Sequence, residues 1–178
     1  MKRAWILRAA GAIAVLGLTL SAATADEGNS ILAARLTGFQ DAPANLTNGS
    51  GTFVATIHGD NTITYRLQFQ NLTTPVTQAH IHFAQPNVNG GIFVWLCQTA
   101  AAPAPAAVSA DVPMCPVNGG TVTGTVKASD ILAISNQGVA AGDFEGLEQI
   151  VRSGNAYVNV HTVQIPAGEI RGQVRSGF

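Results

Sequence analysis

The feature that most constrains this chain is a strict alternation of apolar and polar residues. From residue 63 to residue 70, Ile63, Tyr65, Leu67 and Phe69 alternate with polar neighbours. Successive side chains of a β-strand point to opposite faces, so this pattern predicts a half-buried antiparallel strand. Turn-forming Gly, Asn, Asp and Pro residues separate it from further predicted strands, at 31–36, 52–57, 78–83, 92–97, 121–127, 157–161 and 169–175.

Two segments depart from the alternation. Apolar residues recur at helical spacing over 143–152, which predicts a short helix, and residues 129–132 have the chemistry of a capped helical turn. The fold class is therefore all-β: an antiparallel β-sandwich or barrel with one or two short helices. There is no tandem repeat and no sign of a second domain, so residues 26–178 are predicted to form a single β domain.

Residues 1–25 have the pattern of a secretory signal peptide. Three basic residues precede a largely apolar stretch over 10–20, and Ala-Thr-Ala at 23–25 offers a cleavage site. That stretch is about half the roughly 20 residues that span a bilayer. We therefore expect a secreted or periplasmic protein that begins at Asp26 and does not insert into the membrane. Six basic and ten acidic residues follow residue 25, and they form no basic cluster, which argues against a nucleic-acid partner.

The chain has two cysteines, Cys97 and Cys115, and both follow the predicted signal. An even number of cysteines in an exported chain is typical of a disulfide. The bridge would close a loop that contains an Ala- and Pro-rich run over 100–107, which has few other means of support. The alternative, a redox pair or a cysteine metal site, lacks both a C-x-x-C spacing and a second cysteine pair.

Several short motifs occur in a characteristic order along the chain. They are ARLTGFQDAP at 34–43, PVTQAHIH at 75–82, NGGIFV at 89–94, AYVNVHT at 156–162 and PAGEIRGQ at 166–173. Together they resemble the CHRD domain, the module named after chordin, from about residue 32 to residue 174. The resemblance implies a non-enzymatic binding or interaction module, because CHRD domains in chordin belong to a secreted antagonist of growth factors. Its partner would be an unknown protein or matrix component.

Three histidines lie inside these motifs. Alternation places His80 and His82 on one face of their predicted strand, roughly 7 Å apart, and places His161 opposite the valines of its own strand. The same reasoning assigns a supporting polar face, which we expect at the surface of the domain, to Tyr157, Asn159, Glu169 and Arg171.

This polar face has two interpretations. An H-x-H pair with a third histidine from an adjacent strand is a familiar way to bind one copper or zinc ion. The metal would then be released as the pH falls through the imidazole pKa near 6.5. Alternatively, the imidazoles form ordinary hydrogen bonds to Glu169, Asn159 or Tyr157 on a binding surface. His58 lies in a predicted turn and is expected to be solvated.

Copper-zinc superoxide dismutase offers a comparison, since it is also an exported β-sandwich with an H-x-H strand and a disulfide. Its two-metal centre requires more histidines than the four in this chain. A bimetallic site is therefore excluded. A protein with a single copper or zinc ion, used for metal storage, delivery or redox chemistry, stays open as the alternative to an interaction module.

Overall fold

A computed structural model describes residues 29–177, so the predicted signal peptide and its cleavage site lie outside the described residues. Nine strands form a single antiparallel sheet. They are β1 (Asn29–Thr37), β2 (Ser50–His58), β3 (Thr62–Gln70), β4 (Val76–Phe83), β5 (Gly91–Cys97), β6 (Gly120–Val126), β7 (Ala156–Thr162), β8 (Ile170–Gln173) and β9 (Arg175–Ser176). The predicted strands are thus confirmed, with small shifts at their ends.

The order of strands in the sheet is β5-β4-β7-β8-β1-β2-β3-β6, and β9 pairs with β1. The sheet curls into a nearly closed barrel in which β5 and β6, the two ends of that order, come into contact. One hydrogen bond crosses the interior, from the hydroxyl of Tyr65 on β3 to the carbonyl of Leu96 on β5, at 2.6 Å.

Alternation explains which side chains fill the barrel. On β3, the four apolar residues that predicted the strand are all buried, and the polar residues between them are exposed. Burial of such aliphatic and aromatic side chains is worth about 1.5–3 kcal/mol each. The inward-facing residues of all the long strands form one continuous hydrophobic core.

A single α-helix, α1 (Phe144–Arg152), packs its apolar face on this core. The side chain of Asp143 caps the helix by accepting a hydrogen bond from the backbone N–H of Gly146 at 2.8 Å. The predicted turn near 129–132 is a short 3₁₀ helix, Ala128–Asp130. Two further 3₁₀ turns, Gly38–Gln40 and Ser135–Gln137, were not predicted.

Cys97, at the end of β5, is bonded to Cys115, which confirms the predicted disulfide. The loop that the disulfide closes forms a small hydrophobic cluster of its own, from Ala104, Val108 and Val112. This cluster packs against Trp95 on the outward face of β5. Within residues 29–177, no helix is long and apolar enough to cross a membrane.

Candidate metal site

Strand pairing brings the three motif histidines together. β4 and β7 are adjacent and antiparallel, with His82 opposite Tyr157 and Gln78 opposite His161. His80 and His161 are therefore diagonal neighbours on the same face, and their ring centroids lie 4.8 Å apart. The His80–His82 and His82–His161 centroid distances are 5.5 Å and 6.2 Å. Among the described residues, these three form the one group of His, Cys, Asp or Glu side chains close enough to share a metal ion.

The prediction that this polar face lies at the surface is wrong. The exposed fractions of His80, His82 and His161 are 0%, 7% and 6%. The predicted supporting residues are buried as well: Tyr157, Asn159, Glu169 and Arg171. Alternation correctly places the polar residues on the side of the sheet opposite the hydrophobic core. However, loops fold over that side and enclose it, and a pattern along a strand does not reveal what will cover it.

Hydrogen bonds determine which ring nitrogens carry protons. Nδ1 of His82 lies 3.1 Å from the carbonyl oxygen of Gly90, and Nδ1 of His161 lies 3.0 Å from that of Pro166. A carbonyl only accepts, so both Nδ1 atoms donate, and the lone pair of each neutral ring lies on Nε2. Nδ1 of His80 approaches Nε2 of His161 at 3.2 Å and therefore donates to it.

Two ring nitrogens in this cluster are buried without a hydrogen-bond partner, Nε2 of His80 and Nε2 of His82. An unsatisfied buried polar atom costs about 1–3 kcal/mol, so such atoms are rare in folded proteins. The sequence also allowed the interpretation that the imidazoles bond to Glu169, Asn159 or Tyr157. Instead, the hydrogen bonds of the three histidines go to backbone carbonyls and to each other.

The distances suit a small ion. One ligand nitrogen from each histidine lies within 4.8 Å of the others. Three nitrogens this close together share a point that lies no more than about 2.8 Å from each of them. An ion at that point would be only slightly farther from its ligands than the usual Zn–N distance of about 2.0–2.1 Å. A tetrahedral ion at that distance separates its ligand nitrogens by about 3.3 Å. Nδ1 of His80 and Nε2 of His161, which lie 3.2 Å apart, already match this separation, and a shift of less than about 1 Å per ring would complete the site. For Nδ1 of His80 to bind the ion, the proton of that neutral ring must move to its Nε2, which has no hydrogen-bond partner.

The electrostatic environment favours neutral imidazoles, the form that binds metals. Burial lowers the pKa of His80 well below its usual value, and the neighbouring His161 and His82 lower it further. Burial lowers the pKa of His82 to about 4, although its hydrogen bond to Gly90 opposes the shift. Burial also lowers the pKa of His161. The pKa values of all three rings therefore lie below the 6.5 that the sequence suggested for metal release, and those of His80 and His82 lie well below it.

A stack of side chains fixes the plane of the His82 ring. The ring of Tyr157 lies parallel to it, with an interplanar angle of 3° and centroids 4.6 Å apart. The guanidinium carbon of Arg171 lies 3.4 Å from the centroid of the Tyr157 ring, which is a cation–π contact. On another side of the cluster, the rings of Trp95 and His80 meet edge to face at 4.2 Å.

Arg171 also anchors the loop that covers His82. It donates to the carbonyl of Gln85 and to the side-chain oxygen of Asn89. This loop ends at Gly90, whose carbonyl accepts the His82 proton and whose N–H lies 3.4 Å from the Tyr157 hydroxyl. A Cβ atom at Gly90 would lie 1.8 Å from the carbonyl oxygen of Phe83. Only glycine fits there, so the loop can approach His82 closely only with glycine at this position.

The two carboxylates near this region are engaged elsewhere. Burial raises the pKa of Glu169, but hydrogen bonds from the hydroxyls of Thr47, Thr73 and Thr162 outweigh it and leave the pKa below its usual value. Asp41 accepts a hydrogen bond from the side chain of Asn159 at 3.1 Å. Neither carboxylate belongs to the histidine cluster.

Sequence reasoning did not identify several residues of the site. Trp95, Gly90 and Pro166 contact the histidines through a ring or a backbone carbonyl. Gly90 and Pro166 lie inside the motifs noted above, which was a signal that those segments matter. Trp95 follows directly after the motif at 89–94, and only the pairing of β4 with β5 shows that it lies beside His80.

Comparison with known proteins identifies a family but no close relative. No curated protein and no solved structure matches the chain. The model of the CHRD domain matches residues 32–174, a range that includes all three histidines, the residues stacked on them and both cysteines. The chain therefore belongs to the CHRD domain family.

Proposed function

We propose that this protein is an exported, non-enzymatic binding module of the CHRD family whose three buried histidines bind one copper or zinc ion. Membership of the family supports a binding role in general. The disulfide supports export, since disulfides persist in oxidising compartments outside the cytosol. The metal is the specific part of the proposal and needs its own argument.

The orientation of two histidine rings carries this argument. His82 and His161 each donate Nδ1–H to a backbone carbonyl, which leaves the lone pair of each ring on Nε2. In His161 that lone pair accepts the hydrogen bond from His80, which a bound ion would replace. Histidines that bind metals almost always have such a partner on the second nitrogen, because it fixes the tautomer and the direction of the ring. A metal ion would also satisfy Nε2 of His82, which is buried and has no hydrogen bond among the described residues.

The ligand set is of a type that copper and zinc accept. Imidazole nitrogen suits both metals, and three nitrogens are the usual protein ligands of a site with an open position. The role of such a site would be metal storage, delivery or redox chemistry. The partner of the module, an unknown protein or matrix component, stays a prediction. Phe39 and Leu46, with exposed fractions of 71% and 91%, are apolar side chains that it could contact.

Elemental analysis tests the proposal. Protein purified from the periplasm of an expression host, without a histidine tag, should carry copper or zinc or take up one equivalent after treatment with a chelator. In His82→Phe an aromatic ring would still stack on Tyr157 but would offer no nitrogen, so we expect metal binding at least about tenfold weaker. His58→Ala is the matched control, because His58 lies outside the cluster and bonds Thr64. Equal binding by wild type and His82→Phe would refute the proposed ligand set.

A further inference from the structure

Every ligand that the cluster offers is uncharged. Among residues 29–177, no Asp, Glu or Cys side chain joins His80, His82 and His161 within ligand distance. The nearby carboxylate of Glu169 is held by threonine hydroxyls. An ion in this site therefore keeps its full formal charge, since neutral imidazoles cancel none of it.

The surroundings contain a further positive charge. The side chain of Arg171 is only 1% exposed, and it is stacked on Tyr157, which is itself stacked on His82. Within the described part of the chain, Arg171 has no ion pair shorter than 4.0 Å. The carboxylate of Asp41 attracts it from a longer distance and offsets part of its charge. The repulsion between this guanidinium and a bound ion is proportional to the charge of the ion. It is therefore twice as large for a divalent ion as for a monovalent ion at the same distance.

Burial of the site also disfavours a divalent ion relative to a monovalent one, and it does so more strongly than the charge of Arg171. The three histidine side chains are at most 7% exposed, so an ion that enters loses most of its hydration. The desolvation cost of an ion rises with the square of its charge, which makes the cost about four times larger for a divalent than for a monovalent ion of similar size. Carboxylate or thiolate ligands offset this cost in many zinc sites, and this cluster has none.

Coordination number adds a third argument. Cu(II) prefers tetragonal geometry with four or more ligands, whereas Cu(I), like Zn(II), has a filled d shell that imposes no geometry. Cu(I) is satisfied by three nitrogens, whereas Zn(II) would need water as a fourth ligand. A fourth protein ligand is absent from the cluster, and the ring of Trp95 lies 4.2 Å from that of His80 and fills the space beside it.

From charge, burial and coordination number we infer that the site is selective for copper in its monovalent state. This inference rests on the proposed function and narrows it from copper or zinc to Cu(I). Because a site that prefers Cu(I) raises the reduction potential of bound copper, the protein would hold the metal reduced in an oxidising compartment.

Competition titrations test the inference on the metal-free protein. Cu(I) would be measured under anaerobic conditions against a chromophoric Cu(I) chelator, and Cu(II) and Zn(II) against chelators of matched affinity. We expect a dissociation constant for Cu(I) at least about 100-fold smaller than that for Cu(II), which corresponds to a potential about 120 mV above that of free copper. Trp95 is the only tryptophan after residue 25, so its fluorescence reports on the site directly.

The outcomes separate the two proposals. Tight binding of Zn(II) or Cu(II) that requires His82, with weaker binding of Cu(I), would overturn the inference and leave the proposed metal function intact. If none of the three ions binds, both proposals fail. Cu(I) binding that is at least about 100-fold tighter than Cu(II) binding and is abolished in His82→Phe supports both. Comparable binding of Cu(I) and Cu(II) overturns the inference alone.

A pair of variants tests the contribution of charge. Arg171→Met keeps a long side chain over Tyr157 but removes the positive charge together with the hydrogen bonds to Gln85 and Asn89, whereas Arg171→Lys keeps the charge. We expect the preference for Cu(I) over Cu(II) to fall by at least about threefold in Arg171→Met and to persist in Arg171→Lys. Far-UV circular dichroism must first show that both variants fold. An unchanged ratio in a folded Arg171→Met would contradict the electrostatic argument.

Discussion

Acidification should destabilise this protein because its histidines are buried as neutral rings. The perturbation is a pH decrease from 7 to 4 on metal-free protein, compared between wild type and His82→Phe. Burial lowers the pKa of His82 to about 4 in the folded state, whereas an unfolded histidine titrates near 6.5. Between these values the unfolded chain takes up a proton that the folded chain does not, so stability is lost as the pH falls.

The magnitude follows from the two pKa values. A difference of one pKa unit corresponds to 1.36 kcal/mol. His82 alone should therefore make the free energy of unfolding about 3 kcal/mol larger at neutral pH than near pH 4. His80 and His161, whose pKa values are also lowered, should act in the same direction. Glu169 should add to the loss at still lower pH, because its lowered pKa stabilises the fold only while it is ionised.

Urea unfolding at a series of pH values measures this effect. The comparison with His82→Phe removes the contributions that the two proteins share, including those of the carboxylates. Between pH 7 and pH 4, the free energy of unfolding should fall by about 3 kcal/mol less in the variant than in wild type. If both proteins lose the same free energy over this range, then His82 is not held neutral and the account of its burial is incorrect.

Three further predictions concern the disulfide, the close approach of the loop at Gly90 and the cleavage of the signal peptide. The double variant Cys97→Ser/Cys115→Ser should lose about 3 kcal/mol of the free energy of unfolding in urea, because the bridge closes a loop with a sequence separation of 18. A loss below about 0.5 kcal/mol would refute the stabilising role of the disulfide. Gly90→Ala should cost more than Gly138→Ala in thermal unfolding. A Cβ at Gly90 meets the backbone of Phe83, whereas one at Gly138 meets open space and brings only the strain of a positive φ of 78°. The reverse order would contradict the close approach at Gly90. Intact-mass measurement of exported protein should find Asp26 at the N-terminus, and a mass that includes residues 1–25 would argue against cleavage at 23–25.

Much of the candidate site could be predicted from sequence. The histidines share a face because side chains alternate along a strand, and this relation is purely local. The short spacing of His80 and His82 therefore indicated two of the three proposed ligands. The presence of His161 in a second motif suggested the third ligand, but sequence did not show that β4 and β7 are adjacent. Adjacency depends on how all nine strands pair, and no local pattern encodes it.

The error about exposure has a similar origin. Tyr157, Asn159 and His161 are polar and alternate with valines, which is the usual pattern of a strand with one solvated face. In the folded protein that face is covered, because Arg171 holds the loop that ends at Gly90 and the disulfide loop packs on Trp95. These contacts join residues far apart in the chain, so no pattern along a single strand reveals them.

The sequence by itself determined the strands, the single short α-helix, the disulfide and the shared face of His80 and His82, because each depends on the periodicity or chemistry of nearby residues. Only the tertiary structure decided that His161 joins them, that loops bury the cluster, and that Arg171 and Trp95 flank it. The physical reason is that burial and ligand geometry depend on contacts between distant segments. Those same contacts turn a polar strand face into a buried cluster of neutral histidines, on which the proposed selectivity for a monovalent ion depends.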